Sequence, residues 1–496
     1  MDVRPQKVDH EQAAPIPPTL RPAHPAMPVS SGRITKTRKG KGAPTHGKNH
    51  RWESFNNKIA QIGALDPLHR VRRHDLGTED LSTTTSYFQK GLQRWSELNL
   101  ARGFIAFKRA VMPLCESLPQ LLHFESRIME LLAEHIAAHE KASLEPLLDL
   151  LTAFARDLGV RFEKHYGRAL ELISGILAKP QDVDVIEWTF GSLAWLFKYL
   201  WRLLVPNLCP TYDMLAPLLG RSRHTPHVAR FAAEAMSFLV TKAAAPSNRQ
   251  TALGKIVAHI RDDLYSMAGD RQFTLYRDGI MAMFAEAIKG TGEAIHTSGP
   301  ALAQALLAAL PEAEREPNPN PIWTSVICGA LTSVLHGSNA TAMTELVAAI
   351  VGYIRSDVEN GSFAHLPWRC LPWCRVIGTL AGVRGGSRVA EWPPLVDAFI
   401  RLVESFSMAQ PGAVDVMDGL LWRDVIVNAA IVWHQAPMDT LIKHKTAFTH
   451  TITHEPFVQW FIPFCVYLHQ LDSGRFSSLF RQDFQKWVAV FFSPPP

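Results

Sequence analysis

Apolar residues recur at three- and four-residue spacing along nearly the whole chain after Trp52, a pattern typical of amphipathic helices. Between residues 144 and 158, leucines and Phe154 keep mostly to one side of the predicted helix. Pro146 is expected in the first turn of that helix, where its missing N–H costs nothing. Runs of β-branched residues with period-two alternation are few. The pattern therefore predicts an all-α chain.

The helical pattern repeats. Similar helices are predicted to begin near Glu145, Val185 and Pro226, about 40 residues apart. The third has an inner apolar stripe made of Val228, Phe231, Ala235, Phe238 and Leu239. Further helices are predicted near Leu275, Trp323, Trp368, Leu421 and Phe457. This period suits HEAT-type helical pairs, which bury their apolar faces only by stacking on neighbours. We therefore predict a HEAT-like helical-repeat solenoid.

Polar or Pro/Gly-rich breaks divide the predicted helices. They lie near residues 243–250, 311–321, 382–394 and 408–413. Such breaks are expected between helical pairs and need not separate domains. We predict three segments: a disordered tail over residues 1–50, N-terminal repeats over 51–245 and further repeats over 246–496. Because the chain ends on Ser-Pro-Pro-Pro directly after an apolar helix, the last segment is expected to be a truncated array.

Charge is concentrated at the N-terminus. The net charge of the 496 residues is +5, but residues 1–52 hold ten Lys or Arg against three acids, whereas the remainder holds 41 against 43. Eight prolines and no apolar periodicity mark residues 1–50, a composition that cannot bury enough surface to fold. The basic character therefore belongs to a predicted disordered tail, and the body is near neutral.

Two groups of basic residues are candidate contacts. In the tail, the candidates for an import receptor or for RNA phosphates are Arg33, Lys36, Arg38, Lys39, Lys41 and Lys48, and a merely solubilising tail is the alternative. In the body, Lys198 and Arg202 lie four residues apart on a tryptophan-rich helix and could touch RNA phosphates. The alternative, which we favour, is an exposed stripe above a buried face formed by Trp195, Leu196 and Leu203.

Motifs for catalysis or cofactor binding are missing from the sequence. It contains no phosphate-binding loop, dinucleotide fingerprint, zincin helix or G-x-S-x-G elbow. The six cysteines are expected to be free thiols, since Cys370 and Cys374 alone make a weak zinc half-site. We expect a soluble, intracellular, non-enzymatic protein without a cofactor, metal, small-molecule substrate or membrane partner.

Several segments resemble one known family. They are residues 91–100 (GLQRWSELNL), 146–158 (PLLDLLTAFARDL), 198–203 (KYLWRL) and 230–239 (RFAAEAMSFL), in family order, preceded by the similar opening stretch 50–71. Over residues 50–240 the chain thus resembles the U3 small nucleolar RNA-associated protein 20 family, also called DRIM, down-regulated in metastasis. Beyond about residue 250 the pattern is that of generic helical repeats.

The resemblance implies a nucleolar, armadillo-type scaffold of the small-subunit processome, the early 90S preribosome. Its partners would be processome proteins, precursor ribosomal RNA and the U3 small nucleolar RNA particle. Members of the family are very long HEAT-repeat proteins without catalytic residues, and this chain is several times shorter. A generic HEAT-repeat adaptor, such as a transport receptor or phosphatase scaffold, is the alternative function.

Overall fold

The computed structural model describes residues 52–63, 86–220, 226–245, 250–313, 320–360, 370–383, 392–407, 419–452 and 458–492. All of them belong to the second of two units into which the chain divides, residues 50–496. Within these ranges the regular structure is helical apart from one isolated bridge between Lys289 and Ile295. The predicted all-α fold is confirmed.

The described α-helices are numbered here in chain order. They are α1 Phe55–Gln61, α2 Tyr87–Leu98, α3 Arg102–Val111, α4 Leu118–His123, α5 Glu125–Ala137, α6 Lys141–Leu158, α7 Glu163–Leu177, α8 Val183–Leu204, α9 Cys209–Leu219, α10 Pro226–Ala243, α11 Gln250–Ser266, α12 Phe273–Ile288, α13 Gly299–Ala308, α14 Leu310–Ala313, α15 Ile322–Gly337, α16 Ala340–Asn360, α17 Cys370–Gly382, α18 Trp392–Ser407, α19 Gly419–Gln435, α20 Met438–Ile452, α21 Val458–Leu471 and α22 Ser473–Phe492.

These helices form two layers. In the first layer α2, α6, α8, α10, α12, α15, α17, α19 and α21 pack in that order, each on the next. In the second layer α3, α5, α7, α9, α11, α13, α16, α18 and α20 do the same. From α5 to α21 the helices alternate between the layers, apart from the four-residue helix α14. Each pair therefore buries its apolar faces only when its neighbours are stacked on it. This is the predicted helical-repeat solenoid.

The repeat register predicted from the sequence agrees with the first layer. Helices α6, α8 and α10 begin at Lys141, Val183 and Pro226, close to the three predicted starts. The five further predicted positions coincide with the starts of α12, α15, α17, α19 and α21. The break predicted at 311–321 overlaps the short helix α14, Leu310–Ala313, and the one predicted at 382–394 overlaps the start of α18 at Trp392. The break predicted at 408–413 lies outside the described residues. Buried apolar side chains form one continuous cluster from Phe55 to Phe480, so the stack has a single core.

The predicted place of Pro146 was wrong. Helix α6 begins at Lys141, so Pro146 lies inside the helix and cannot donate to the carbonyl of Ala142. The side-chain amide of Asn99 donates to that oxygen instead, at 2.7 Å. A residue that follows α2 therefore satisfies the carbonyl that the proline leaves open, which sequence spacing could not reveal.

Helix α1 packs outside the repeat order. It lies on α8 and α10, far along the chain, and not on α2. Phe55 is fully buried there, with its ring edge-to-face against Phe190 and Phe197 at centroid distances of 6.4 and 6.0 Å. Its backbone N–H donates to the buried carboxylate of Glu234 at 2.6 Å. The segment thus covers part of the outer face of the first layer.

A buried carboxylate joins two helices of the second layer. Glu125, at the start of α5, has a side chain only 6 % exposed and accepts hydrogen bonds from Arg161, at 3.0 Å, and from Lys164 of α7. Burial alone would raise the pKa of Glu125, but the hydrogen bonds from Lys164 and Arg161 and their charges outweigh it and lower the pKa. The ionised carboxylate is therefore stabilised in the folded chain.

Replacing Glu125 by Gln is expected to make stability less dependent on acid pH. Because the folded pKa lies below the ordinary value of 4.5, this stabilisation is present above that pH and is lost as the pH falls through the folded pKa. We expect Glu125→Gln to lower stability by about 1–2 kcal/mol at neutral pH, and the difference to vanish in acid. Acid unfolding followed by circular dichroism would measure it. Glu171→Gln, in an exposed pair with Arg168, is the control, and equal acid midpoints for all three proteins would contradict the expectation.

Candidate nucleic-acid interface

The two groups of predicted contact residues have different outcomes. Arg33, Lys36, Arg38, Lys39, Lys41 and Lys48 lie outside the described residues, so their role stays a prediction. Lys198 and Arg202 lie on α8 and point to its outer side, Lys198 half-buried and Arg202 exposed. Of the face predicted beneath them, only Leu196 is buried, whereas Trp195 and Leu203 are half-buried. Trp195 instead shares the outer side with Tyr199, ring centroids 5.3 Å apart.

Neighbouring helices of the first layer place more cations beside these two. Helices α6, α8 and α10 run in parallel, because Arg156 near the end of α6 reaches Tyr199 near the end of α8, and Lys242 near the end of α10 reaches Trp201. The ends of the three helices therefore lie side by side. Cations at these ends form a row across the layer.

Aromatic rings separate the cations of this row. The Arg156 guanidinium carbon lies 3.6 Å from the ring centroid of Tyr87 and 5.8 Å from that of Tyr199. Arg202 lies 5.2 Å from the ring of Trp201, in range of a cation–π contact. We call the following residues the cation–aromatic row: Tyr87, Arg156, Lys198, Tyr199, Trp201, Arg202, Phe238 and Lys242.

Lys242 shows that the charges of the row interact. Its ammonium nitrogen lies 5.5 Å from the ring of Trp201 and 5.3 Å from that of Phe238. Burial lowers the pKa of Lys242, and the nearby charge of Lys198 lowers it further. Two ammonium groups close enough to repel each other form a local site where an anion would be stabilising. The near-neutral body thus carries a local basic face at this place.

Phe238 does not lie where the sequence predicted. It was assigned to the inner stripe of α10, but it is half-buried beneath Lys242, whereas Val228, Phe231, Ala235 and Leu239 are buried as predicted. Phe238 comes one turn before Lys242, so both face the row and not the second layer. Alternation of aromatic and cationic positions on one face was the signal for this placement.

The other cations of the row were missed, because their signal depends on the observed helix starts. Arg156 and Lys198 are each the sixteenth residue of their helices, and Lys242 is the seventeenth residue of its helix. Counted from the observed helix starts, a basic residue thus recurs at the sixteenth or seventeenth position in three consecutive first-layer helices. Lys289 follows the end of α12 at the corresponding place. Cations near helix C-termini also stabilise the helix dipole, which explains one charge per helix but not the aromatic rings between them.

The buried cysteines have the chemistry of inert thiols. All six are free, and Cys370 and Cys374 lie fully buried on α17. Burial raises the pKa of the Cys374 thiol to about 12, so it stays protonated at neutral pH. A thiol held in this form is a poor nucleophile. Among the residues that the structure describes, no group of three His, Cys, Asp or Glu side chains could hold a metal ion.

A second polar cluster, between α9, α11 and α12, serves packing. The carboxylate of Asp263 accepts hydrogen bonds from the Tyr212 hydroxyl, at 3.0 Å, and from Tyr276. Nearby, the His259 Nε2 and the Asp213 carboxylate are hydrogen-bonded at 2.6 Å. Burial and the charge of Asp213 raise the pKa of the adjacent Cys209 thiol, which favours its protonated form. The cluster ties three helices together through buried hydroxyl groups.

No helix in the described part of the chain combines the length and apolar character needed to cross a membrane. No family model matches the sequence.

Two curated relatives are similar to nearly all of the chain. It is 28% identical over 452 residues to U3 small nucleolar RNA-associated protein 20 of Schizosaccharomyces pombe. The matched region covers 91% of this chain and 17% of the relative. It is 28% identical over 396 residues to the protein of the same name from Saccharomyces cerevisiae, covering 78% of this chain and 15% of the relative. The resemblance inferred from a few short segments is confirmed, and it extends well beyond residues 50–240. The chain spans less than a fifth of the length of either relative.

Proposed function

We propose that the chain is a non-catalytic helical-repeat scaffold of the small-subunit processome, where it supports processing of precursor ribosomal RNA to small-subunit RNA. Its place would be the nucleolus. Its partners would be processome proteins, precursor ribosomal RNA and the U3 small nucleolar RNA particle. The observation that carries this proposal is similarity, along nine-tenths of the chain, to a protein named for its association with U3 small nucleolar RNA.

The fold supports a scaffolding role. Two layers of helices share one continuous core, so the described stack offers a long surface whose parts are held in fixed register. The row on α6, α8 and α10 gives that surface a local positive charge, which suits phosphate groups. Proteins of this architecture bind by shape and surface chemistry, since each repeat contributes a small area to an extended contact.

Sedimentation of the tagged chain from cell extract on a sucrose gradient tests the proposal. We expect the chain to co-sediment with early pre-ribosomal particles and to bring down precursor small-subunit RNA. Slow sedimentation without that RNA, for this chain and also for a version extended by the downstream repeats of a longer relative, would overturn the proposal. That result would favour the alternative of a general helical-repeat adaptor.

A further inference from the structure

The cation–aromatic row has a chemistry that the scaffold role alone does not require. Two of its cations, Arg202 and Lys242, lie over the ring of Trp201 at the ends of α8 and α10, and a third, Lys198, is close enough for its charge to act on Lys242. Among the described residues, no carboxylate forms an ion pair with Lys198 or Arg202. Positive charge at this place is therefore left for a partner.

We propose that this row binds single-stranded RNA, with backbone phosphates on Lys198, Arg202 and Lys242 and bases stacked on the rings of Trp201 and Phe238. The inference rests on the proposed function and names the ligand chemistry of one face of the scaffold. Interleaved cations and aromatic rings are the arrangement by which proteins hold single strands, since every base has a face that can stack. An acidic peptide would use the charges and leave the rings without a role.

The geometry favours a single strand over a duplex. Packed helices lie about 8–10 Å apart, so the row crosses neighbouring helices as a line of alternating charges and rings. A duplex keeps its bases paired and offers side chains mainly phosphates and 2′-hydroxyls, which rings such as Trp201 cannot stack on. Unpaired nucleotides expose both base faces and phosphates to the same line of residues.

The charge balance within the row also fits a phosphate ligand. The positive charge of Lys198 destabilises the ammonium form of Lys242. A phosphate bound between the two ammonium groups would attract both and so offset their repulsion. The row lies beside α1, which covers the outer face at the beginnings of α8 and α10. The ligand would thus lie across the ends of these helices, next to α1.

Binding of a fluorescent oligouridine of about 12 nucleotides to the full chain, measured by anisotropy over a range of salt concentrations, tests the inference. The variant with Lys198→Gln, Arg202→Gln and Lys242→Gln is expected to bind at least tenfold more weakly. Its slope of log affinity against log salt should become shallower by about 2, for three lost phosphate contacts. The matched control changes three exposed cations away from the row, Lys255→Gln, Arg271→Gln and Lys443→Gln, and should keep the original slope.

Stacking is tested separately from charge. Trp201→Leu keeps an apolar side chain against the core and should weaken binding about tenfold, the loss of one stacked base, with the salt slope unchanged. Phe238→Leu is the second variant, and the melting temperature of each protein shows whether it remains folded. An abasic oligonucleotide of the same length should bind at least tenfold more weakly than oligouridine. Residues 1–50 hold no Phe, Trp or Tyr but do hold His and Arg, which can also stack on bases, so the difference between the two strands should shrink in Trp201→Leu if the row supplies it.

Two results would overturn the inference. One is equal affinity for the abasic strand, an RNA duplex and oligouridine, which would mean that the protein recognises phosphate charge and not unpaired bases. The other is identical loss in the row variant and its matched control, which would place binding elsewhere. Neither result bears on co-sedimentation with pre-ribosomal particles. Conversely, if the chain binds oligouridine through the row but neither it nor its extended version joins those particles, the proposed function alone is overturned.

Discussion

Replacing Phe55 by Ala is expected to release α1 from the stack and to leave the repeats folded. Phe55 is fully buried between Phe190 and Phe197, and truncation of a buried phenylalanine costs about 3–5 kcal/mol. A helix of seven residues is not stable in isolation, so α1 stays helical only while it is docked. The loss should therefore be local.

Hydrogen exchange measured by mass spectrometry checks this expectation. Amides of α1 should exchange about 100- to 1000-fold faster in Phe55→Ala, whereas amides of α17 and α19, several repeats away, should keep their rates. Glu234→Ala removes the acceptor of the Phe55 N–H and should weaken docking by about 1–3 kcal/mol. Ile442→Ala, at a side chain 60% exposed, is the control and should change stability by less than about 0.5 kcal/mol. Unchanged exchange in α1, or faster exchange along the whole chain, would contradict local docking.

Docking of α1 also marks the limit of what the sequence could predict. Periodicity located the first-layer helices from α6 to α21, but not α2, because each of them is long, amphipathic and separated from the next by one repeat. The contacts of α1 do not follow the repeat spacing. The Phe55 ring packs on that of Phe190 and the Phe55 N–H donates to Glu234, and both partners are distant in the sequence. Its polar–apolar pattern was visible in the sequence, but its partners were not.

The candidate face divides in the same way. Lys198 and Arg202 could be singled out because they share one helix face at a spacing of four residues. Lys242 and Arg156 join them only because α6, α8 and α10 lie side by side and in parallel, which depends on how the pairs stack. Counted from the predicted helix starts near Glu145, Val185 and Pro226, the basic residues fall at the twelfth, fourteenth and seventeenth positions, so a search at one fixed position would have missed them. Phe238 could not be assigned to the inner or outer side from apolar spacing, since it lies at the boundary between the two.

Removing the carboxylate of Asp157 is expected to detach α2 from the stack. This side chain near the end of α6 accepts hydrogen bonds from the Ser86 hydroxyl at 2.6 Å and from the backbone N–H groups of Tyr87 and Phe88 at 3.0 and 2.7 Å. Those N–H groups belong to the first turn of α2, which has no acceptor of its own for them. One buried carboxylate therefore completes the start of a helix that is 69–71 residues away in sequence.

Asp157→Ala leaves three donors without their acceptor in a nearly closed site, where Asp157 is only 3% exposed. Each buried unsatisfied group costs about 1–3 kcal/mol, and because water will enter we expect a total of about 3–5 kcal/mol. Hydrogen exchange should show faster exchange in α2 and unchanged rates beyond α10. Asp157→Asn keeps one acceptor oxygen and should cost less than half as much.

The same substitution reaches the cation–aromatic row. Tyr87 begins α2 and covers the guanidinium of Arg156 at 3.6 Å, so a released α2 would withdraw a ring from one end of the row.

Asp182→Ala, an exposed carboxylate paired with Lys141 across α6 and α8, removes the same charge without a cap and should cost less than about 1 kcal/mol. Equal effects of Asp157→Ala and Asp182→Ala on α2 would mean that the cap does not hold the helix. An effect confined to Asp157→Ala would show that the hydrogen bonds accepted by Asp157 hold α2 on the stack, because both substitutions remove one negative charge.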